Sequence, residues 1–161
     1  MLLIMPGHPQ FMQQAIQLAT ENVVHGRGGP FGAVIVKDGA VIATGANQVT
    51  ASNDPTAHAE VVAIRNACQA LGTFLLDGCD VYTSCEPCPM CLAAIYWAHC
   101  RAIYYGNNAD DAARAGFDDS FLYEEVRKPL DQRSVSITRM LADEASVSFE
   151  LWLKSSYRVE Y

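Results

Sequence analysis

The sequence predicts an α/β fold in which helices pack on the faces of a sheet. Two observations support this class: an early β-hairpin signal, and a later alternation of short strands with helices. Asp38-Gly39 separates two apolar runs, Val34–Lys37 and Ala40–Thr44, which is the pattern of a two-residue hairpin turn. Further along, one helix separates two strands, so we expect these strands to lie parallel.

Helices are predicted on either side of the hairpin. The first covers Pro9–His25, where apolar residues recur at helical spacing, and Gly26 ends it. The second has Asp54 as its N-cap and Pro55 as its first residue, and it runs to about Leu71. The remaining predicted elements are a strand over Val81–Thr83, a helix from Pro87, a strand over Arg101–Tyr105, a short helix over Ala109–Ala115, a strand over Val135–Thr138 and a helix over Asp143–Ser156.

Composition narrows the classes of partner. The 161 residues suit one domain with a single core, and half of them are hydrophobic. The net charge of −7, with no basic run, disfavours nucleic acid or an anionic membrane as a partner. The first residues lack the basic flank of a signal peptide, so we expect a cytoplasmic protein. Its six cysteines are then expected to be thiols or metal ligands rather than disulfides.

Two short motifs carry the reactive side chains. His58-Ala59-Glu60 lies near the start of the second helix, and Pro87-Cys88-Pro89-Met90-Cys91 opens the third. Cysteines three apart share one helix face, so Cys88 and Cys91 can bind one zinc ion with His58 as the third ligand. Three protein ligands leave the fourth position to water. Glu60 is the predicted base that takes the proton from this water.

Other interpretations of these motifs remain open. A CxxC pair in a cytosolic protein is often a redox pair or a structural clip, and Glu60 alone is compatible with an ordinary solvated position. Cys85 and Cys88 form a second CxxC frame. Because Cys85 precedes the helix, we expect it to be a small buried residue and not a ligand. A four-ligand structural site that included Cys85 would remove the open position and the activity with it.

His-Ala-Glu followed by Pro-Cys-x-x-Cys resembles the zinc signature of the cytidine deaminase superfamily. The resemblance implies a three-layer α/β/α fold with a central five-stranded mixed sheet, and zinc-dependent hydrolytic deamination in which Glu60 moves the protons. Other runs resemble bacterial guanine deaminases of this superfamily: Gly28–Val34, Ser52–Glu60, Tyr82–Leu92, Tyr96–Ala98, Ala115–Phe121 and Glu160–Tyr161.

The closer resemblance implies that guanine is the substrate and that xanthine and ammonia are the products. It also implies that Asn47 binds the purine edge and that Asp119 accepts hydrogen bonds from the guanine amino group or a ring N–H. Phe31 and Trp97 are expected to line the same pocket, although core packing is the alternative for either aromatic residue alone.

The resemblance further implies a homodimer. In such a dimer the tail, residues 157–161, crosses to the partner subunit and brings Tyr161 to the partner's substrate. A frayed end is the plain alternative for this segment.

Several other activities share the zinc chemistry. Guanosine, another aminopurine, a triazine, cytosine and cytidine are the alternative substrates. A tRNA adenosine deaminase also shares the motif but needs a basic surface, which this acidic chain lacks. A catalytically silent zinc-binding module is the alternative from a different class, and the presence of Glu60 argues against it.

Overall fold

The protein is described by a computed structural model over residues 7–161, and the described chain forms two compact units. The first unit ends at Ser120, and the second is Phe121–Tyr161. Among the described residues, no helix is both long and apolar enough to cross a membrane.

The first unit contains every strand of the described chain. These strands are β1 (Gly32–Lys37), β2 (Ala40–Ala46), β3 (Cys79–Cys85) and β4 (Ala102–Asn107). Its helices are α1 (Pro9–Val24), α2 (Val49–Ser52), α3 (Ala59–Leu71), α4 (Pro89–Trp97) and α5 (Ala109–Arg114). Helix α6 (Ser120–Arg127) begins at the unit boundary. The second unit adds a 3₁₀ turn (Leu130–Gln132) and α7 (Ala142–Lys154).

The sheet is mixed, as predicted, and its strand order is β2-β1-β3-β4. Strand β1 pairs antiparallel with both β2 and β3, whereas β3 and β4 are parallel. The hairpin and the parallel pair are therefore confirmed. Parallel strands need a crossover connection, and α4 lies between β3 and β4 in the chain as that connection.

The expected fifth strand is absent from the described residues, so that prediction was wrong in the strand count. Val135–Thr138 has alternating apolar residues but forms no regular secondary structure. A strand needs a hydrogen-bonded neighbour, and residues 121–161 contain no other strand. The backbone N–H of Ser134 instead donates to the Glu125 carboxylate at 2.7 Å.

Helices cover both faces of the sheet, which confirms the three-layer architecture. Side chains alternate along β1, so its neighbouring residues belong to two different cores. One core joins β1 and β3 to α1 and contains Phe11, Ala15, Val34, Val36 and Tyr82. The other joins the sheet to α3 and α4 and contains Ala33, Ile35, Ala59, Ala63, Val81 and Ile95. Gly45 permits close packing here, because a Cβ on it would lie 2.2 Å from the Ala59 carbonyl oxygen.

Helix α3 begins four residues later than the sequence predicted. Asp54 closes a local turn, in which its carboxylate accepts from the backbone N–H of Thr56 at 2.8 Å and from its hydroxyl at 2.7 Å. His58 is consequently the N-cap, and Gly72 ends the helix in the left-handed conformation, as predicted.

Helix α4 begins at Pro89 and not at Pro87 as predicted. A residue that precedes proline is disfavoured in the helical region, so Cys88 adopts an extended conformation and becomes the N-cap. Both predicted metal-binding motifs therefore place one ligand at the cap of a helix.

Candidate active site

Four chain segments meet at one end of the sheet. The register places Gly32 opposite Ala46, Ala33 opposite Thr83 and Cys85 opposite Asn107. The N-terminal end of β1 and the C-terminal ends of β2, β3 and β4 therefore lie at the same end of the sheet. The residues that follow or precede these strand ends are Phe31, Asn47, Glu86, Cys88 and Asn108.

The three predicted zinc ligands lie close together at this end of the sheet. The ligand atoms of His58, Cys88 and Cys91 all lie within 4.8 Å of one another. His58 Nδ1 lies 3.6 Å from Cys88 Sγ and 3.5 Å from Cys91 Sγ. Tetrahedral zinc with Zn–S of about 2.3 Å and Zn–N of about 2.0 Å requires an N···S separation of about 3.5 Å. The donor set therefore fits zinc in both chemistry and size.

The electrostatics of this cluster favour a thiolate at Cys88 and a neutral thiol at Cys91 when no cation is bound. A hydrogen bond from the Cys91 thiol, followed by the contact with His58, lowers the pKa of Cys88 to about 4. The same Cys91–Cys88 hydrogen bond, with burial, raises the pKa of Cys91. The Cys88 sulfur in turn raises the pKa of His58. A bound cation favours the deprotonated form of every ligand it touches, and the N-termini of α3 and α4 act in the same direction.

Glu60 lies in the first turn of α3 and is only 6% exposed. Burial raises the pKa of its carboxyl, and a hydrogen bond with Cys91 opposes this shift. The hydroxyl of Thr83 donates to Glu60 Oε1 at 3.3 Å. Glu60 therefore sits against the metal ligands, where the sequence predicted the base.

Thr83 was not singled out as a site residue in the sequence. A threonine in a buried strand is usually explained by its high β propensity. The available signal was its polarity inside the fully buried strand β3, since a buried hydroxyl needs a partner. Its partner comes from a helix 23 residues away in the chain, which only the tertiary structure shows.

Cys85 is kept apart from the metal ligands. Among the described residues, the candidate ligand group has three members and does not include it. Its thiol donates to the Asn108 carbonyl oxygen at 3.8 Å, and burial raises the pKa of Cys85 to about 11. A buried neutral thiol was the expected state of this residue.

Asn47 is buried at the end of β2, and its carboxamide has a defined orientation. The side-chain oxygen accepts from the backbone N–H of Val49 at 3.3 Å and of Gly29 at 3.4 Å. Because both neighbours are donors, the oxygen must face them, and the NH₂ group faces away. The N–H of Gln48 donates to the Ala57 carbonyl oxygen at 2.9 Å, so Asn47 is held close to the His58 segment.

Phe31 and Asp119 lie in the same region. The ring of Phe31 packs edge-to-face against Phe117, with ring centroids 4.9 Å apart. Partial burial and then the charge of the Cys88 sulfur raise the pKa of Asp119, which places this carboxylate in the electrostatic field of the metal cluster. Phe117 was part of a run quoted for its resemblance, but no role was predicted for it. Its contact with Phe31 joins the segment before Asp119 to the entrance of β1.

The two remaining predicted residues are Trp97 and Tyr161. Trp97 is the last residue of α4 and is 65% exposed. It is nine residues beyond Cys88, which corresponds to about 13 Å along a helix. Tyr161 belongs to the second unit and is exposed. Their contacts with substrate stay predictions.

Three candidate ligands, two of them helix N-caps, stand beside a buried glutamate. A three-ligand set leaves zinc a fourth position for water, and this arrangement defines a zinc-dependent hydrolytic enzyme. The chain belongs to the family described as the cytidine and deoxycytidylate deaminase zinc-binding region, which it matches over residues 5–107. The family signature contains the His-x-Glu and Pro-Cys-x-x-Cys motifs, so zinc is the cofactor of this site.

Individual relatives show which members of this deaminase family the chain resembles. The chain is 55% identical to guanine deaminase of Bacillus subtilis over 155 residues, covering 96% of this chain and 99% of the relative. An X-ray structure of guanine deaminase from Bacillus subtilis superposes with a TM-score of 0.93 at 55% identity, covering 96% of this chain and 99% of that chain. A structure of guanine deaminase from Nitrosomonas europaea is 28% identical, with a TM-score of 0.66, and covers 92% of this chain and 84% of that chain.

Similarity to tRNA adenosine deaminases covers less of the chain than similarity to guanine deaminase does. A tRNA-specific adenosine deaminase of Agrobacterium fabrum is 54% identical over 77 residues. That match covers 48% of this chain and 51% of the relative. A structure of tRNA:A34 deaminases covers 80% of this chain at 38% identity, with a TM-score of 0.62. The match to the guanine deaminase structure is both longer and closer, at 96% of this chain with a TM-score of 0.93.

Proposed function

We propose that this chain catalyses the hydrolytic deamination of guanine to xanthine and ammonia. The observation that carries the proposal is 55% identity to a guanine deaminase over 96% of the chain, together with a complete zinc and glutamate site. The similarity includes the segment around Asp119, which lies beyond the residues that match the family as a whole.

The chemistry requires a proton carrier beside an activated water molecule. His58, Cys88 and Cys91 would hold the zinc ion, which when bound would lower the pKa of a water molecule beside Glu60. Glu60 takes a proton from this water and delivers it to the ring nitrogen next to C2 of guanine, while the oxygen adds to C2. Glu60 then carries the second proton to the leaving amine, so ammonia departs and xanthine remains. Burial of Glu60 suits this role, because a raised pKa lets the carboxyl both accept and return a proton.

Recognition of the base is assigned to residues around this centre. Asn47 presents its NH₂ group as a donor to an acceptor on the purine edge, because its oxygen is occupied by backbone N–H groups. Asp119 is an acceptor for the amino group or a ring N–H. Phe31 supplies an aromatic surface at the entrance to β1. Trp97 and Tyr161 complete the predicted set.

Ammonia release from zinc-loaded protein tests the proposed substrate. Guanine, guanosine, adenine, cytosine, cytidine and an adenosine-containing tRNA anticodon stem are compared at equal concentrations. We expect guanine to have the highest kcat/KM. If another compound of the panel is deaminated with a higher kcat/KM, the proposed substrate is wrong but the proposed reaction type stands. If no compound is deaminated, a catalytically silent zinc-binding module is favoured.

We also propose a homodimer in which residues 157–161 close the active site of the partner subunit. No residue of 121–161 is buried. Its large apolar side chains that are more than half exposed include Val135, Met140, Leu141, Phe149, Leu153 and Tyr157. An apolar surface of this extent indicates a protein interface, and the resemblance to guanine deaminases supports a second copy of the chain as the partner.

Mixed dimers test the exchange of the tail. One subunit carries Glu60→Gln with an intact tail, and the other carries intact Glu60 with Tyr161→Ala. If the tail acts on the partner's site, each mixed dimer has one complete site, and co-expression restores roughly a quarter of the wild-type activity. No restoration is expected if each tail serves its own subunit. Sedimentation gives the oligomeric state, and cell fractionation tests the cytoplasmic location.

A further inference from the structure

Asn22 is a buried polar residue on an otherwise apolar helix face. Helix α1 faces the sheet with Phe11, Ala15 and Ala19, and Asn22 continues that buried face. It is only 4% exposed. Burial of a carboxamide is unfavourable unless its polar atoms are hydrogen-bonded, so this position needs an explanation that packing alone does not supply.

The Asn22 amide group joins two separate segments of the chain. Its Nδ2 donates to the Gly29 carbonyl oxygen at 2.8 Å and to the Asn47 carbonyl oxygen at 2.9 Å. The first acceptor belongs to the turn before β1, and the second belongs to the exit from β2. One rigid helix therefore fixes both segments that carry the proposed base-binding residues Phe31 and Asn47.

Further hydrogen bonds close the network. The N–H of Asn47 donates to the Phe31 carbonyl oxygen at 3.0 Å, and the N–H of Gly29 donates to Asn47 Oδ1 at 3.4 Å. The segments are in direct contact, since a Cβ on Gly28 would lie 2.5 Å from the Asn47 carbonyl oxygen and 3.0 Å from Asn22 Nδ2. Loss of the Asn22 donors would remove the amide partner of the Asn47 carbonyl oxygen and leave the Gly29 carbonyl oxygen only the Phe31 N–H, which donates to it at 2.8 Å.

We propose that Asn22 is a positioning residue for recognition of the base. It holds the main chain of Asn47 and Gly29 so that the Asn47 carboxamide keeps its NH₂ group turned toward the substrate. The inference rests on the proposed role of Asn47 in binding guanine. Asn22 lies outside the set of metal ligands, so its effect is expected on substrate affinity and not on zinc or on proton transfer.

The test measures guanine binding in the inactive Glu60→Gln protein, which separates binding from turnover. Asn22→Leu removes both donors at nearly constant volume, and Asn22→Ser retains one donor for the case in which Asn22→Leu fails to fold. Asn66→Leu is the matched control. Asn66 also donates from a helix to a strand carbonyl, that of Thr44 at 2.9 Å, but it belongs to the exposed side of α3.

Calorimetry should show guanine affinity reduced about tenfold or more by Asn22→Leu, with a smaller reduction for Asn22→Ser. With Glu60 intact, KM should rise by a similar factor while kcat and zinc content stay near wild type. Asn66→Leu should leave affinity unchanged. Unchanged affinity in both Asn22 variants would overturn this inference alone. Failure of Glu60→Gln itself to bind guanine would overturn the proposed substrate, and the inference with it.

Discussion

The metal side and the base side of this site are built in different ways. The metal side consists of His58, Glu60, Cys88 and Cys91, which come from two short motifs. Each motif begins at a helix cap, and Glu60 and Cys91 are buried in the first unit. The side chains are consequently held by helix geometry and by core packing.

The proposed base side consists of Phe31, Asn47 and Asp119, which come from three connecting segments. All three side chains lie outside the helices and strands, and the Asn47 carboxamide is held by the N–H of Gly29 in one loop and by that of Val49 at the start of α2. The family match over residues 5–107 includes the whole metal side but ends before Asp119. If the proposed base-binding residues are correct, one rigid centre supplies the reaction, and separate loops select the nucleobase.

Loss of a metal ligand should have the largest effect. Cys88→Ala leaves two ligands, so zinc content should fall to near zero and deamination below detection. Metal analysis by mass spectrometry measures the zinc content, and ammonia release measures the deamination. Cys85→Ala is the matched control and should keep its zinc, because Cys85 lies outside the ligand group. A full complement of zinc in Cys88→Ala would show that Cys85 takes its place.

Glu60→Gln should separate the chemistry from the metal. The amide cannot accept the proton of water, so kcat should fall by roughly 10²- to 10⁴-fold while zinc stays bound. Steady-state kinetics and metal analysis of one preparation give both values. Wild-type kcat in this variant would contradict the assignment of Glu60 as the base.

Asn47→Ala should affect the base side without the metal side. Loss of one buried donor to the substrate is worth about 1–3 kcal/mol, or roughly 5- to 150-fold in kcat/KM, mostly through KM. Gln48→Ala changes an adjacent, exposed amide and should leave KM near wild type. A fall in zinc content in Asn47→Ala would show that the two sides are not independent.

Thr83→Val should give the smallest effect. Valine matches threonine in shape and removes only the hydroxyl that donates to Glu60. We expect kcat to fall roughly two- to tenfold, with KM and zinc content unchanged, because a hydrogen bond that orients the Glu60 carboxylate is lost. Thr83→Ser keeps the hydroxyl and should recover most of kcat. A change in KM alone would assign Thr83 to the base side.

Much of the fold was predictable because its signals are local. Asp38-Gly39 favours a tight hairpin whatever surrounds it, and Gly72 ends a helix through its own backbone freedom. The helix starts were less predictable. Asp54-Pro55 is a good helix start in isolation, but the Asp54 carboxylate bonds to Thr56 and forms a turn instead. The predicted strand over Val135–Thr138 failed because strand formation depends on a neighbour.

The sequence by itself determined the metal side, since His58-x-Glu60 and Cys88-x-x-Cys91 each keep their spacing within one helical turn. Only the tertiary structure brought Cys91 Sγ to 3.5 Å from His58 Nδ1, although the two residues are 33 positions apart in the chain. Only the tertiary structure turned the Thr83 hydroxyl toward Glu60. It also decided the orientation of Asn47, because the Gly29 N–H that donates to its oxygen and the Asn22 amide that holds its main chain come from distant segments. Spacing along a helix is a property of the local chain, whereas contacts between loops exist only after the sheet has brought their ends together.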